Sequence, residues 1–135
     1  MAAATLPEVN LESFAAGSID ADAFDHDAHI YVAWLSLEKW PLLEAVAFFS
    51  NALRRLTAQL GIPGKYHETI TWFFMLLIHE RRSEKGATDW FSFRREHTDL
   101  FAGGDASILH RYYSSDLLKS DRARQIFLLP DRLPD

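Results

Sequence analysis

The sequence contains no cysteine, and this absence excludes three kinds of site at once. A disulfide framework, a thiolate zinc site and a cysteine nucleophile all require that residue. The N-terminal residues also lack the positive segment and the apolar run of roughly 7 to 15 residues that mark a secretory signal. No apolar run reaches the roughly 18 to 20 residues of a membrane span. We therefore expect a soluble, cytoplasmic protein.

Basic residues are too few to give the chain a positive surface. The sequence has 14 Lys and Arg against 19 Asp and Glu, a formal net charge of -5. Because nucleic acids and anionic membranes are bound through clusters of positive charge, we expect neither as a partner. With 135 residues, of which 48% are hydrophobic, the chain is long enough to bury the core of one globular domain.

Strict alternation of apolar and polar residues, which marks a half-buried strand, is missing as well. Helical periods with capping residues are present instead, and they predict an all-α fold. We expect a single-domain bundle of about four main helices, followed by short C-terminal helical turns that open at serines. The chain divides into a loosely docked N-terminal arm (1–19), the bundle domain (20–131) and a tail (132–135). The main helices are expected at about 22–38, 41–60, from after Gly64 to near Lys85, and from Thr88 or Asp89 to His97.

The most apolar stretch of the chain predicts the central helix of the bundle. Between Ile70 and Ile78 the one polar residue is Thr71, and a helix that is apolar on nearly every side belongs in the middle of a bundle. His67 and Glu68 stand at its start. The positive end of the helix dipole opposes protonation of an imidazole there, and a neutral imidazole is what a metal or a general base requires.

Two further histidines lie three residues apart on the first main helix. His26 and His29 would project to the same side of that helix, as ligands on bundle helices do. Short connections make the first and third helices parallel, so His67 should lie at the same end of the bundle. We therefore predict a metal site of His26, His29 and His67 that holds a divalent transition metal, with zinc or iron expected first. The alternative is that these histidines are hydrogen-bonded core residues.

Glu68 is the candidate catalytic residue beside this site. In a helix it points about 100° away from His67, so it can serve the site only through another residue. The alternative is that Glu68 and Thr69 satisfy the free N–H groups of the helix end, and for Thr69 we favour that alternative. A ferritin-like di-iron site is disfavoured because no Glu-x-x-His pattern occurs in the sequence.

The C-terminal part offers a candidate contact for an anionic substrate. Arg124 carries a guanidinium fork that matches a carboxylate or phosphate. A small anionic molecule is therefore a candidate partner, although Arg124 could equally pair with an acidic surface residue. Tyr112 and Tyr113 are better interpreted as packing residues.

Three motifs in this chain resemble those of a family of small bacterial helical proteins without an established activity. They are Phe24-x-His26-x-x-His29, Tyr66-His67-Glu68-Thr69-Ile70-Thr71 and Ala123-Arg124-x-x-Phe127-x-x-Pro130-Asp131. The resemblance covers residues 24 to 131 and implies a shared helical fold. The order of the histidine motifs is also loosely similar to that of the DinB-like metal bundles, although the chain lacks their His-x-x-x-His pair.

Two functions therefore follow from the sequence. The first is a metal-binding helical bundle, and more specifically a small metal-dependent enzyme with its histidine site at one end. The second is a non-catalytic interaction or accessory protein whose histidines are structural. An oligomer is compatible with both.

Overall fold

The computed structural model describes residues 6–84 and 89–132, and its fold is all-α, which confirms the predicted class. Within the described ranges there is no strand, and no helix is long and apolar enough to cross a membrane. The helices are α1 (Leu11–Ala16), α2 (His26–Lys39), α3 (Leu42–Gln59), α4 (Glu68–Glu84), α5 (Trp90–Glu96), α6 (Leu109–Tyr112), α7 (Ser115–Lys119) and α8 (Asp121–Gln125). Short 3-10 turns occupy Ala21–Ala23, Pro63–Lys65, Thr98–Leu100 and Gly104–Ala106.

The first main helix begins later than the expected start near Asp22. The carboxylate of Asp25 accepts the Ala28 N–H at 2.9 Å and so caps α2, which makes His26 its first residue. Asp20 caps only the preceding 3-10 turn. The predicted glycine cap of α4, Gly86, lies outside the described residues.

The N-terminal segment docks more closely than the sequence suggested. Leu11–Ala16 is helical, and Asn10 caps it by accepting the Ser13 N–H at 2.8 Å. Phe14 is fully buried. Its ring packs against three others, those of Phe24, Phe48 and Phe49. This aromatic cluster holds α1 on α2 and α3, because a buried aromatic side chain removes a large apolar area from water.

Helix α4 takes the central position predicted for it. It contacts α2, α3 and α8, and Met75 and Ile78 are fully buried in the core. Phe74, on the side of α4 that meets α2, is only partly buried because it faces a cavity.

Two of the three short C-terminal helices, α7 and α8, are opened by the serines expected to cap them, whereas α6 follows Ile108 and has no side-chain cap. Ser114 Oγ accepts the Leu117 N–H at 3.2 Å, and Ser120 Oγ accepts the Ala123 N–H at 3.1 Å. Since α8 packs on α4, these short helices lie against the start of the central helix. Asp131 closes the segment by accepting hydrogen bonds from the backbone and hydroxyl of Ser114.

Candidate ligand-binding site

A cavity of about 160 Å³ separates α2, α3 and the start of α4. The structure brings the three histidines named by the sequence, His26, His29 and His67, to the wall of this one cavity. The rest of the wall is mainly apolar, with two other polar residues. It consists of Ile30, Ala33, Phe49, Leu53, Lys65, Ile70, Thr71, Phe74 and Met75.

His67 uses both of its ring nitrogens to hold the protein together. It directly precedes α4, and its Nδ1 accepts the Ile70 N–H at 3.2 Å, which caps the helix. The proton is therefore on Nε2, which donates to the Leu118 carbonyl at 2.7 Å. Burial lowers the pKa of His67, while the Leu118 carbonyl opposes this effect. In this arrangement His67 has no free lone pair to offer a metal.

One ring nitrogen of His26 is hydrogen-bonded, and the other has no partner among the described residues. Its Nε2–H donates to the Leu100 carbonyl at 2.8 Å, and its ring meets the edge of Phe74 with centroids 5.5 Å apart. The tautomer that makes this bond leaves the lone pair on Nδ1. Hydrogen bonding of this kind fixes the orientation of the ring.

His29 differs from the other two because neither of its nitrogens has a hydrogen-bond partner among residues 6–84 and 89–132. Its ring lies against Phe24 with a centroid distance of 4.0 Å. Burial, and secondarily the neighbouring His26, lower the pKa of His29 from 6.5 to about 4. At neutral pH His29 is therefore an uncharged imidazole with an unused donor and an unused acceptor.

Glu68 lies outside the cavity wall, on a different side of α4 from His67. Its carboxylate accepts a hydrogen bond from the Tyr66 hydroxyl and pairs with Arg54 at 3.0 Å. The Arg54 guanidinium also covers the Tyr66 ring, 4.6 Å from its centroid. This network accounts for the Glu68 carboxylate without any contact to the histidines, and the catalytic role stays a prediction.

Arg124 also lies outside the cavity wall. It is exposed on α8, and its Nη1 donates to the Gly64 carbonyl at 2.8 Å. Its charge contributes to lowering the pKa of His67, after burial. The alternative, a pairing of Arg124 with an acidic side chain, is not found in the described part of the chain. Contact with an anionic substrate stays a prediction.

Thr69 has a larger structural role than the helix-end role that we favoured. It is fully buried, and its hydroxyl is within hydrogen-bonding distance of the Ala123 and Ile126 carbonyls, at 2.7 and 2.8 Å. It also accepts the Leu128 N–H at 3.1 Å. The two motifs that begin at Tyr66 and Ala123 are therefore bonded to each other. No pattern in a single sequence reveals such a pairing.

Lys65 is the cavity residue that the sequence reasoning passed over. It ends the 3-10 turn between α3 and α4 and is exposed to solvent while lining the cavity. No ion-pair partner for Lys65 is found in the described ranges. In the sequence, its position directly before Tyr66 and His67 was the signal that could have identified it as part of the site.

Metal-ligand geometry is not present in the part of the chain that the structure describes. No group of three or more His, Cys, Asp or Glu residues there is arranged to hold an ion. For the three predicted ligands, the physical reason is that both ring nitrogens of His67 are already engaged in hydrogen bonds.

Comparisons of the chain with protein-family models, curated proteins and solved structures found no significant match. The family resemblance of its motifs therefore stays a prediction.

Proposed function

We propose that the protein binds a small organic molecule in the histidine-lined cavity. The apolar body of the molecule packs against the apolar wall, and one polar group bonds to His29. The observation that carries this proposal is the unpartnered imidazole of His29. His29 is half-buried and lines the cavity, so its nitrogens are open to a ligand there, and a ligand that bonds to them gains a hydrogen bond.

The size of the cavity limits what it can hold. At about 160 Å³ it is close to the roughly 150 Å³ of an apolar cavity that accommodates benzene. One six-membered ring, or an aliphatic group of similar bulk, fits this space. Pockets for larger ligands usually occupy roughly 300 to 1,000 Å³.

The proton affinity of His29 favours binding over acid–base catalysis. A general base works best with a pKa near the operating pH. The pKa of His29 is about 4, and that of His67 is lowered in the same direction. Both rings therefore act as neutral hydrogen-bonding groups at neutral pH.

Phenol and toluene provide a matched pair of probes for this proposal. They have nearly the same shape, but only phenol can bond to His29. We expect phenol to bind about 2- to 10-fold more tightly than toluene, which corresponds to one hydrogen bond. The preference should disappear in His29→Phe. Titrations followed by amide chemical shifts in two-dimensional NMR measure both affinities.

Two further variants control this experiment. His79→Phe changes an exposed histidine of α4 outside the cavity wall and should keep the preference for phenol. Ala33→Met should weaken both probes, because Ala33 is a buried wall residue and the longer side chain fills the space. Equal affinities for phenol and toluene in the unaltered protein would contradict the proposal.

Metal binding is the second candidate function. It is favoured by the arrangement of His26, whose Nε2–H is held by a backbone carbonyl while Nδ1, near His29, has no partner in the part of the chain that the structure describes. Metal-ligating histidines usually donate their other N–H in this way. For His67 to become a third ligand of zinc or iron, its Nδ1 would have to release the Ile70 N–H.

His67→Ala separates the two candidates. Metal binding predicts that this variant loses far more metal affinity than His97→Ala or His110→Ala, with little change in helical circular dichroism. The organic-ligand proposal predicts unchanged metal content and a stability loss of roughly 1 to 3 kcal/mol, because the Leu118 carbonyl and Ile70 N–H lose their partner. Metal stoichiometry of tag-free protein and urea midpoints on the same variants decide between them.

A further inference from the structure

A second apolar space adjoins the cavity. It is a groove of about 340 Å³ whose wall includes Phe24, Leu56, Leu60 and Ile62. Leu60 and Ile62 are 38% and 41% exposed, so the groove opens to solvent. The cavity and the groove share three wall residues, which are His29, Leu53 and Lys65. These three side chains therefore form a boundary that is common to the two spaces.

Charge is distributed very unevenly around these two spaces. Neither wall contains an Asp or Glu, and Lys65 is the one charged residue in both. This is notable in a chain with a net charge of -5. Because Lys65 has no ion-pair partner within the described residues, its ammonium group remains able to attract an anion.

Two of the three shared residues, His29 and Lys65, are polar, and Lys65 is the one cation of either wall. A ligand that pairs with Lys65 through a charge at one end would leave one of the two spaces unfilled, and a ligand that fills the far part of a space with its charged end would lose the contact with Lys65. A ligand with its charge in the middle satisfies both spaces at once.

We infer that the ligand is a small carboxylate whose charged group lies between two apolar arms. One arm fills the cavity, the other lies in the groove, and the carboxylate meets Lys65 and the N–H of His29. This inference rests on the proposed function and adds the class of ligand to it. The excess of negative charge on the protein argues for a free acid over an anionic lipid surface.

Two isomeric acids test the position of the charge. 2-Propylpentanoate carries its carboxylate between two propyl arms, whereas octanoate has the same formula with the carboxylate at one end. We expect 2-propylpentanoate to bind roughly 10-fold or more tightly than octanoate, because both apolar spaces are then filled. Isothermal titration calorimetry on the full chain measures the two affinities. Equal binding, stronger binding of octanoate, or no binding of either acid would overturn the inference.

A neutral analogue tests the role of Lys65. The amide 2-propylpentanamide should bind about two- to fivefold more weakly than the acid, as expected for a solvent-exposed ion pair. Lys65→Gln should abolish this difference, and Lys39→Gln, a matched change of an exposed lysine that lies over Trp40, should preserve it. A difference that persists in Lys65→Gln would overturn the inference.

The remaining outcomes distinguish this inference from the proposed function. If phenol binding depends on His29 but the acids show no preference, the ligand class is wrong and the site stands. If phenol also fails to bind, the proposed function is wrong. Binding to phosphatidylglycerol vesicles without binding of the free acid would likewise overturn the inference.

Discussion

Replacing Thr69 by valine is expected to lower the free energy of unfolding by about 3 kcal/mol and to release the segment around Ala123 to Leu128 from α4. Valine keeps the shape of threonine but removes the hydroxyl. The Ala123 and Ile126 carbonyls and the Leu128 N–H then lose their shared partner. A buried polar group without a partner costs roughly 1 to 3 kcal/mol. The three groups together cost less than three times this amount, because the segment opens and water then reaches them.

Thr57→Val is the matched control for this substitution. Thr57 is also a buried threonine, but its hydroxyl donates only to the Arg54 carbonyl of its own helix, at 3.0 Å. We expect it to cost less than about 1 kcal/mol. Thr69→Ser should recover most of the stability, since it restores the hydroxyl. Urea denaturation and hydrogen exchange of the Leu128 amide measure these effects, and equal losses for Thr69→Val and Thr57→Val would refute the role of Thr69.

Acid is expected to destabilise the protein through His29. In the unfolded chain this histidine takes up a proton near pH 6.5, whereas in the native protein its pKa is about 4. Between these values the unfolded state binds more protons, so stability falls as the pH falls. The gap between the two pKa values corresponds to roughly 3 kcal/mol once the pH has reached about 4. Above about pH 6.5 His29 contributes no pH dependence.

The experiment compares the pH dependence of stability and not its absolute value. Urea midpoints of the unaltered protein and of His29→Phe are measured between about pH 7 and pH 4, and the unaltered protein should show the steeper loss. His79→Phe should follow the unaltered protein, because His79 is exposed. Parallel curves for the unaltered protein and His29→Phe would show that His29 is not held neutral by burial.

The main helices could be predicted because their signals are local. Apolar periodicity and side-chain caps depend on neighbours in the sequence, and Asp89, Ser114 and Ser120 cap helices as expected. The start of α2 and the presence of α1 were not predicted, and each has a physical reason. Asp25, which caps α2, carries the same carboxylate as Asp20 and Asp22, so residue type alone did not place the start of that helix. Small residues around Phe14 concealed a helix whose stability comes from tertiary aromatic contacts.

The site could be predicted only as a set of residues. Parallel helices place His26, His29 and His67 at one end of the bundle, and they do line one cavity. Their hydrogen bonds could not be anticipated, because the carbonyls that hold His26 and His67 belong to Leu100 and Leu118, which are 74 and 51 residues away in sequence. Because of those distant partners, His29 is the one of these three histidines with both nitrogens unpartnered among the described residues.

The hydrogen bond from His67 to the Leu118 carbonyl joins the wall of the cavity to a helix that does not line it. Detachment of α7 would leave the Nε2–H of His67 without its acceptor and the ring held only by the Ile70 N–H, so the shape and polarity of the cavity depend on the attached state. A ligand that prefers the present orientation of His67 must therefore stabilise the attachment of the C-terminal helices. By thermodynamic reciprocity, anything that pulls those helices away must weaken the ligand by the same factor.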